Sequence, residues 1–500
     1  MKLSDLHRLL EASASGPLEI RQAEPGSAAL QAAAFDSRRV RPGDLFCAIP
    51  GAAHDGRAFL AAAEAAGAAA VLSTGELATS LPTLSVPADE LRRLAALAAH
   101  ALAGEPSREL WVGAVTGTNG KSTVVHLTAS ALQACGLGAA RAGTLGLEVP
   151  GVDALPDIVH TTPEADDLVR WLAATQEAGH RHALLEASSH GLDLERLAGL
   201  SVDAAAWTNL SHDHLDYHGD LASYAAAKAK LFHALPAGAP AFHPLEADIE
   251  GALAGMAAIS VPWALDEGDG RATHAALRGA VRCRPEGLRL DIDGFYGQAR
   301  IDSPLIGRHN AENLLVAFGL ASAAGASRDA VAAALSQVGA APGRLERVTG
   351  PEGCHLFVDY AHTPDALAHV LAALREQFPG QRLGAVFGAG GDRDPSKRAL
   401  MGEAVAAHAD WCVVTSDNPR TEDPAAIAAM VAAGVATLPE AARETVLDRR
   451  TAIREAVARL CPGDVLLVAG KGHETYQEVD GVRRPFDDRV ELREALACFL

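Results

Sequence analysis

Leu110-Trp111-Val112-Gly113-Ala114-Val115 followed by Thr116-Gly117-Thr118-Asn119-Gly120-Lys121-Ser122-Thr123 is the stretch from which the rest of the chain is read. The apolar run over 110–115 predicts a buried strand, the glycines predict a turn, and the apolar-rich segment after Lys121 predicts a helix. In a strand–turn–helix of this kind the backbone N–H groups and the helix N-terminus face phosphate oxygens. The lysine neutralises charge and a hydroxyl reaches Mg²⁺. The spacing departs from GxxxxGK[ST], because Val115 stands where the first glycine belongs. ATP is the ligand this arrangement predicts; the competing reading is a glycine turn with an incidental lysine.

Downstream, apolar runs at 183–185 and 204–207 alternate with helical patterns, which predicts a largely parallel sheet with ligands at its strand C-termini. A mixed, turn-rich segment follows over 236–304. Upstream, strand and turn signals at 43–51, a helix over 58–66 stopped by Gly67 and a helix over 91–102 form a small α/β unit closed by Gly104-Glu105-Pro106-Ser107. Beyond Ala341-Pro342-Gly343, apolar strands at 356–358, 383–387, 411–415 and 465–468 predict a second doubly wound sheet. The expected fold is α/β in three domains: a small N-terminal α/β domain (1–106), a central P-loop parallel-sheet ATPase domain (107–340) and a C-terminal Rossmann-like domain (341–500).

Composition agrees with several globular domains. At 500 residues the chain exceeds one ordinary core and suggests about three. Its 49% hydrophobic content excludes disorder, and the net charge of −20 argues against nucleic acid or an anionic membrane as partner. The opening MKLSDLHRLLE lacks the apolar run of a secretory signal. The uncharged stretch 122–140 is broken by Ser, Thr, His, Gln and Gly, so no membrane insertion is expected and the location expected is cytoplasmic. Seven cysteines, none in a CxxC pair, are expected to be reduced and mostly buried.

Polar groups cluster at the predicted strand ends. Glu186 ends the strand 183–185 on the P-loop side, where a carboxylate can hold Mg²⁺ or be an ordinary strand-end acid. Asn209-Leu210-Ser211-His212-Asp213-His214-Leu215-Asp216-Tyr217-His218 suggests zinc at first sight, but neighbours on a loop cannot all face one ion and no cysteine pair completes a structural site. The reading favoured is one histidine on a hard cation with the aspartates ordering the loop, against a purely structural polar loop. Tyr224-Ala225-Ala226-Ala227-Lys228-Ala229-Lys230-Leu231-Phe232 reads by composition as an amphipathic helix with two surface lysines. In the last third Val358-Asp359-Tyr360-Ala361-His362, Gly388-Ala389-Gly390-Gly391-Asp392-Arg393, Thr415-Ser416-Asp417-Asn418-Pro419-Arg420 and Ala469-Gly470-Lys471-Gly472-His473-Glu474 all follow strands. Four polar strand ends in one open sheet mark a ligand crevice.

Taken together these motifs resemble the Mur ligase family. The resemblance runs from Asp36-Ser37-Arg38 and Gly43-Asp44-Leu45-Phe46 through TGTNGKST and NLSHDHLDYHGD to DNPR and GKGHE. It implies an ATP-dependent ligase that joins meso-diaminopimelate to UDP-MurNAc-L-Ala-D-Glu through an acyl phosphate, with two Mg²⁺ ions, outer domains that close over the central one, and a monomeric state. Ser37 and the turn Ala52-Ala53-His54 would hold the uridine end, and Thr161, Thr162, Ser188 and Arg196 the rest of that substrate. Gly117, Thr118, Asn119, Gly120, Lys121, Ser122 and Thr123 would bind ATP, with Asn310, Asn313, Arg344 and Asp359 also facing the nucleotide. Thr123, Glu186 and His214 would organise magnesium, and Lys228 matches the lysine that the family carbamylates as a further metal ligand. Arg393, Asp417, Asn418, Pro419, Arg420, Gly470 and Glu474 would form the diaminopimelate pocket. The sequence departs from the family pattern at Ala52-Ala53-His54, at His309, where an aromatic is usual, and at Leu345, which replaces a common Met.

Three alternatives stand beside this reading. One is an L-lysine-adding ligase of the same family. A folylpolyglutamate synthetase shares the P-loop but not the N-terminal unit, DNPR or GKGHE. A silent nucleotide-binding scaffold would need neither Lys228 nor the paired substrate groups.

Overall fold

The computed structural model describes residues 1–21, 28–51, 55–351 and 353–498. It is mixed α/β and divides into two compact units. One comprises Met1–Arg278, Asp293–Gly297 and Leu315–Ala334; the other comprises Gly279–Ile292, Gln298–Leu314 and Leu335–Leu500. Among the described residues no helix is long and apolar enough to cross a membrane.

The first unit is built around the strand Trp111–Thr116. Parallel strands lie on both sides of it, His182–Glu186 then Ala139–Gly143 on one side and Ala204–Trp207, Pro240–Pro244 and Ile259–Leu265 on the other. The chain order reverses at Trp111–Thr116, so the turn after it opens at the point where doubly wound sheets bind ligands. These strands are buried on both faces, which is why they read as apolar runs rather than alternations. Pro240–Pro244 and Ile259–Leu265 correct the expectation of a turn-rich segment over 236–304. Proline at three of their positions hid two strands of the parallel sheet.

A smaller sheet over Ala33–Ala34, Leu45–Cys47, Ala70–Ser73, Thr83–Ser85 and Glu19–Arg21 belongs to the same unit. Its core includes Ala165 and Val169 from the helix Ala165–Glu177, so burial continues across residue 106. The helix expected over 58–66 is a 3₁₀ turn, Gly56–Phe59, leading into Leu60–Ala65; the helix at Leu91–Leu102 is as expected.

His100 on that last helix is 2% exposed, and neither ring nitrogen has a hydrogen-bond partner among the described residues. Burial pushes its pKa down to about 4. A depressed histidine contributes stability above its ordinary value of about 6.5 and loses it as pH falls toward the folded value. The loss at pH 5 is about 2 kcal/mol. His100→Leu is therefore expected to raise Tm more at pH 5 than at pH 8, and equal shifts at the two pH values would refute this.

The second unit holds the parallel strands His355–Asp359, Val465–Ala469, Leu383–Phe387, Trp411–Val414 and Arg443–Thr445 in that spatial order, with Glu346–Val348 antiparallel at one edge. Alternate residues face opposite cores: Val465 and Leu467 pack with Phe357 and Leu383, Leu466 and Val468 with Leu356 and Val386. The order reverses between Leu383–Phe387 and Val465–Ala469, which places the turns after both strands at a second ligand crevice. The cysteines are all unpaired, but only Cys47 and Cys412 are buried, which corrects the expected burial. Cys283, Cys461 and Cys498 are exposed because they sit near the end of a strand, in a turn and at a helix C-cap.

Candidate active site

Trp111–Thr116 delivers the chain into Gly117 at φ 139°, where a Cβ would overlap the Thr208 hydroxyl, so only glycine fits. Gly120, at φ 84°, caps the helix Lys121–Ala134, whose first N–H groups have no partner inside the helix. The next strand's exit clamps the turn. The Thr118 N–H donates to the Asn209 carbonyl at 3.1 Å, the Asn119 N–H to Asn209 Oδ1 at 2.9 Å, and the Thr208 hydroxyl to the Asn119 carbonyl at 2.5 Å. Lys121 Nζ donates to the Gly117 and Thr118 carbonyls, each at 2.9 Å.

A second ammonium meets the same turn. Lys228, on the helix Leu221–His233, is 1% exposed; its Nζ donates to the Gly117 carbonyl at 2.9 Å and lies 4.2 Å from the centre of the Tyr224 ring. Burial, followed by the nearby Lys121 charge, pulls its pKa well below the ordinary lysine value. The composition reading of two surface lysines is thus corrected. Two positions on a helix are about 200° apart, so Lys228 points inward while Lys230 stays exposed and pairs with Asp193 at 2.8 Å.

Glu186, 2% exposed, ends its strand in register with Val115, beside the phosphate turn. Its carboxylate accepts from the Thr144 N–H at 2.9 Å and the Thr144 hydroxyl at 3.2 Å. Its carbonyl accepts from Thr162 Oγ1, which also meets Ser188 Oγ at 2.9 Å; Thr161 Oγ1 lies 3.1 Å from Thr144 Oγ1. Arg196 donates to the Thr162 carbonyl at 3.1 Å and pairs with Glu164 at 2.8 Å. Thr161, Thr162, Ser188 and Arg196 therefore form one continuous polar wall with Glu186. Thr123 is buried in the first turn of the phosphate-loop helix.

His214 is exposed at φ 52°, 3.6 Å from Asp213 and edge-on to the His190 ring at 4.9 Å. Among the described residues no three His, Cys, Asp or Glu side chains converge as a metal site. Ser37 opens the short 3₁₀ helix Ser37–Arg39, and the turn is held from the Ala165–Glu177 helix. Asp166 accepts from the Phe35 N–H at 3.3 Å, Arg170 donates to the Ala33 carbonyl at 3.1 Å, and Asp167 pairs with Arg39. Ala52, Ala53 and His54 lie outside the described residues.

In the second unit Asp359 is buried at a strand end and accepts from the Leu345 and Ala361 N–H groups, both at 2.7 Å. Burial nevertheless raises its pKa. Arg344 lies over the Tyr360 ring at 5.0 Å. Asn310 and Asn313 are buried and bonded to each other at 3.0 Å. The His309 ring folds back on Gly307, where a Cβ would lie 2.6 Å from it, and burial pushes its pKa down to about 4, so it is neutral at pH 7.

DNPR and GKGHE converge. Asn418 Nδ2 donates to Glu474 Oε2 at 2.8 Å, a Cβ at Gly470 would overlap the Asp417 carboxylate, and Arg420 Nη1 donates to the Gly391 carbonyl at 2.5 Å. Pro419 is buried beside Gly391, and Arg393 is exposed on the same glycine turn. The hairpin of Tyr476–Val479 and Val482–Pro485 closes over this segment, with the Arg420 N–H donating to Glu478 and the Asp480 N–H to Arg420.

Three family models match the chain: the Mur ligase family catalytic domain over 32–102, the Mur ligase middle domain over 115–321 and the Mur ligase glutamate ligase domain over 343–472. The chain belongs to the Mur ligase family. It is 42% identical over 479 residues to the UDP-N-acetylmuramoyl-L-alanyl-D-glutamate–2,6-diaminopimelate ligase of Chromobacterium violaceum, covering 93% of this chain and 94% of that one. The ligase of the same name from Caulobacter vibrioides is 45% identical over 474 residues, covering 92% and 94%. A solved structure of a ligase of that name is 35% identical with a TM-score of 0.68, covering 94% of this chain and 95% of that one. The MurF ligase of Thermotoga maritima in complex with ADP, 16% identical with a TM-score of 0.61 and covering 93% and 97%, shares the fold.

Sequence reading of this Mur ligase passed over several residues that the structure places at the two sites. Thr144 on Glu186, Thr208 and Asn209 on the phosphate turn, and Asp166 and Asp167 behind Ser37 make their contacts through distant chain segments. Lys471, inside GKGHE, receives no role from the sequence pattern.

Proposed function

We propose that this Mur ligase uses ATP to add meso-diaminopimelate to the D-glutamate of UDP-MurNAc-L-Ala-D-Glu, a step of peptidoglycan precursor synthesis, acting as a cytoplasmic monomer. The observation that carries the reading is the convergence of Lys121 and the buried Lys228 on the Gly117 carbonyl, with Glu186 at the adjacent strand end. The relatives of 40–45% identity that bear this activity in their names support it.

Lys121 and the amides that open its helix take the charge of the ATP phosphates, so that the anionic D-glutamate carboxylate can approach the γ-phosphorus. Its oxygen bonds to phosphorus as ADP leaves, giving an acyl phosphate. The amine of diaminopimelate adds to the acyl carbon, phosphate departs and the amine's proton is lost, leaving an amide. Thr161, Thr162, Ser188 and Arg196 orient the dipeptide end. Asn310, Asn313, Arg344 and Asp359 contact the nucleotide, and the wall built from 417–420, Gly470 and Glu474, with Arg393, binds the amino acid.

The hard-oxygen donors Thr123 and Glu186, with His214, suit magnesium. Lys228 fits the same role once carbamylated. Its lowered pKa raises the share of neutral amine, which can add carbon dioxide and release one proton, turning a buried cation into a carboxylate. Two Mg²⁺ ions held there would supply further charge neutralisation at the phosphates.

Glu186→Ala is expected to raise the Mg²⁺ concentration for half-maximal activity by about 10-fold or more, whereas Lys121→Ala lowers kcat at every Mg²⁺ concentration. A magnesium titration checks both; an unchanged requirement in the Glu186 variant would assign that carboxylate to holding Thr144 alone. The reading as a whole is tested by ADP release with UDP-MurNAc-L-Ala-D-Glu and a panel of amino acids. Release that depends on meso-diaminopimelate supports it, and equal use of L-lysine or turnover without an amino acid overturns it.

A further inference from the structure

The amino-acid crevice of the second unit contains a cation with no role so far. Lys471 is 0% exposed, and a lysine removed from water must be paired or give up its charge. Its Nζ donates to Asn418 Oδ1 at 3.0 Å and to Glu474 Oε2 at 3.1 Å, lies 4.0 Å from Asp417 Oδ1, and sits 5.6 Å from the centre of the Tyr476 ring. The flanking glycines force it inward. Gly470 at φ 118° and Gly472 at φ 53° take conformations that side chains resist, and a Cβ at Gly472 would press on Tyr360.

The bonds close a ring of three side chains. Lys471 donates to both Asn418 and Glu474, and Asn418 Nδ2 donates to Glu474 at 2.8 Å. Asn418 Oδ1 also accepts from the Glu478 N–H at 2.9 Å, which ties the ring to the hairpin. Both donors on Glu474 use Oε2. Among the described residues Oε1 has no partner, and the side chain remains 18% exposed.

We propose that Lys471 is the positioning residue of the amino-acid site, its buried ammonium fixing the Glu474 carboxylate through Oε2 so that Oε1 is presented to the ammonium at the distal centre of the amino acid. This rests on the diaminopimelate-adding reading above. A carboxylate held at one oxygen offers its other along a set direction, so it accepts the ammonium of one configuration and leaves that of the opposite configuration misaligned. Lys471 therefore acts on stereochemical choice through Glu474, without touching the substrate.

Lys471→Met keeps the stem and removes the charge. The expected result is a rise in KM for meso-diaminopimelate of about 10-fold or more, with KM for ATP and for the UDP-linked substrate within about 2-fold of wild type. The preference for meso- over LL-diaminopimelate should fall by a similar factor. Lys471→Arg, which restores a charge beside Glu474, should lie between the two. Should the methionine variant not fold, the arginine variant alone is expected to show a raised diaminopimelate KM and a weakened stereochemical preference. In the double variant with Glu474→Gln, the second substitution should add little to the loss caused by the first. An unchanged diaminopimelate KM and stereochemical preference, or three KM values rising together, overturns the proposal. A wild-type enzyme that does not require meso-diaminopimelate overturns the underlying reading instead, so the two failures are told apart.

Discussion

Lys228→Ala is expected to lower the ligation rate by about 10³-fold, and formate or acetate added to the assay to restore part of it. The argument is electrostatic. Lys228 Nζ is buried against the Gly117 carbonyl, within range of the Lys121 charge. Were it to act as an ammonium, alanine would remove one of two phosphate-facing cations and no small anion could substitute for it. Were it a carbamate, alanine would remove a carboxylate and leave a cavity of the side chain's length, which a short carboxylic acid can enter. The two cases predict opposite responses to the added acid, and the acid should not stimulate wild type. Activity of the alanine variant equal to wild type, or a loss insensitive to formate and acetate, would refute the carbamate.

The parts of this protein legible in its sequence are those fixed by local pattern. The run before Gly117 predicts a strand over 110–115, and the strand is Trp111–Thr116; the apolar runs at 204–207 and 383–387 predict Ala204–Trp207 and Leu383–Phe387 with the same limits. Strands buried on both faces announce themselves as uninterrupted hydrophobic stretches, and glycines with a lysine after such a strand carry their own chemistry. What escaped depends on partners far along the chain. The inward direction of Lys228 is set by Gly117, 111 residues away, and Ser37 is seated by Asp166 and Asp167 on a helix of the central sheet. His309 shows the same limit: read as a departure from an aromatic position, it turns its ring onto Gly307 and is kept neutral by burial.

The same distinction bears on which amino acid is used. The wild-type enzyme is expected to prefer meso-diaminopimelate over L-lysine by about 10⁴-fold in kcat/KM, and Arg420→Ala to erase most of that preference. Diaminopimelate carries a second carboxylate at its far end, which a guanidinium can bind bidentately; lysine has none. Arg420 is held for such a role. Its backbone is in the left-handed region at φ 54°, a conformation costly for a side-chain-bearing residue, and is kept there by the bond from its N–H to Glu478 at 3.1 Å and the bond from the Asp480 N–H to its carbonyl at 2.6 Å. Its guanidinium donates to the Gly391 carbonyl and, among the described residues, pairs with no carboxylate. The obvious surface partner, Asp423, instead accepts from the Ala425 N–H at 3.0 Å and caps the next helix. A guanidinium whose one described bond is to a carbonyl retains donors for an incoming anion, and lysine would leave those donors desolvated without compensation. Measuring kcat/KM for both amino acids in wild type and in Arg420→Ala decides the matter: equal use of lysine by wild type, or a preference that survives the substitution, removes Arg420 from the discrimination.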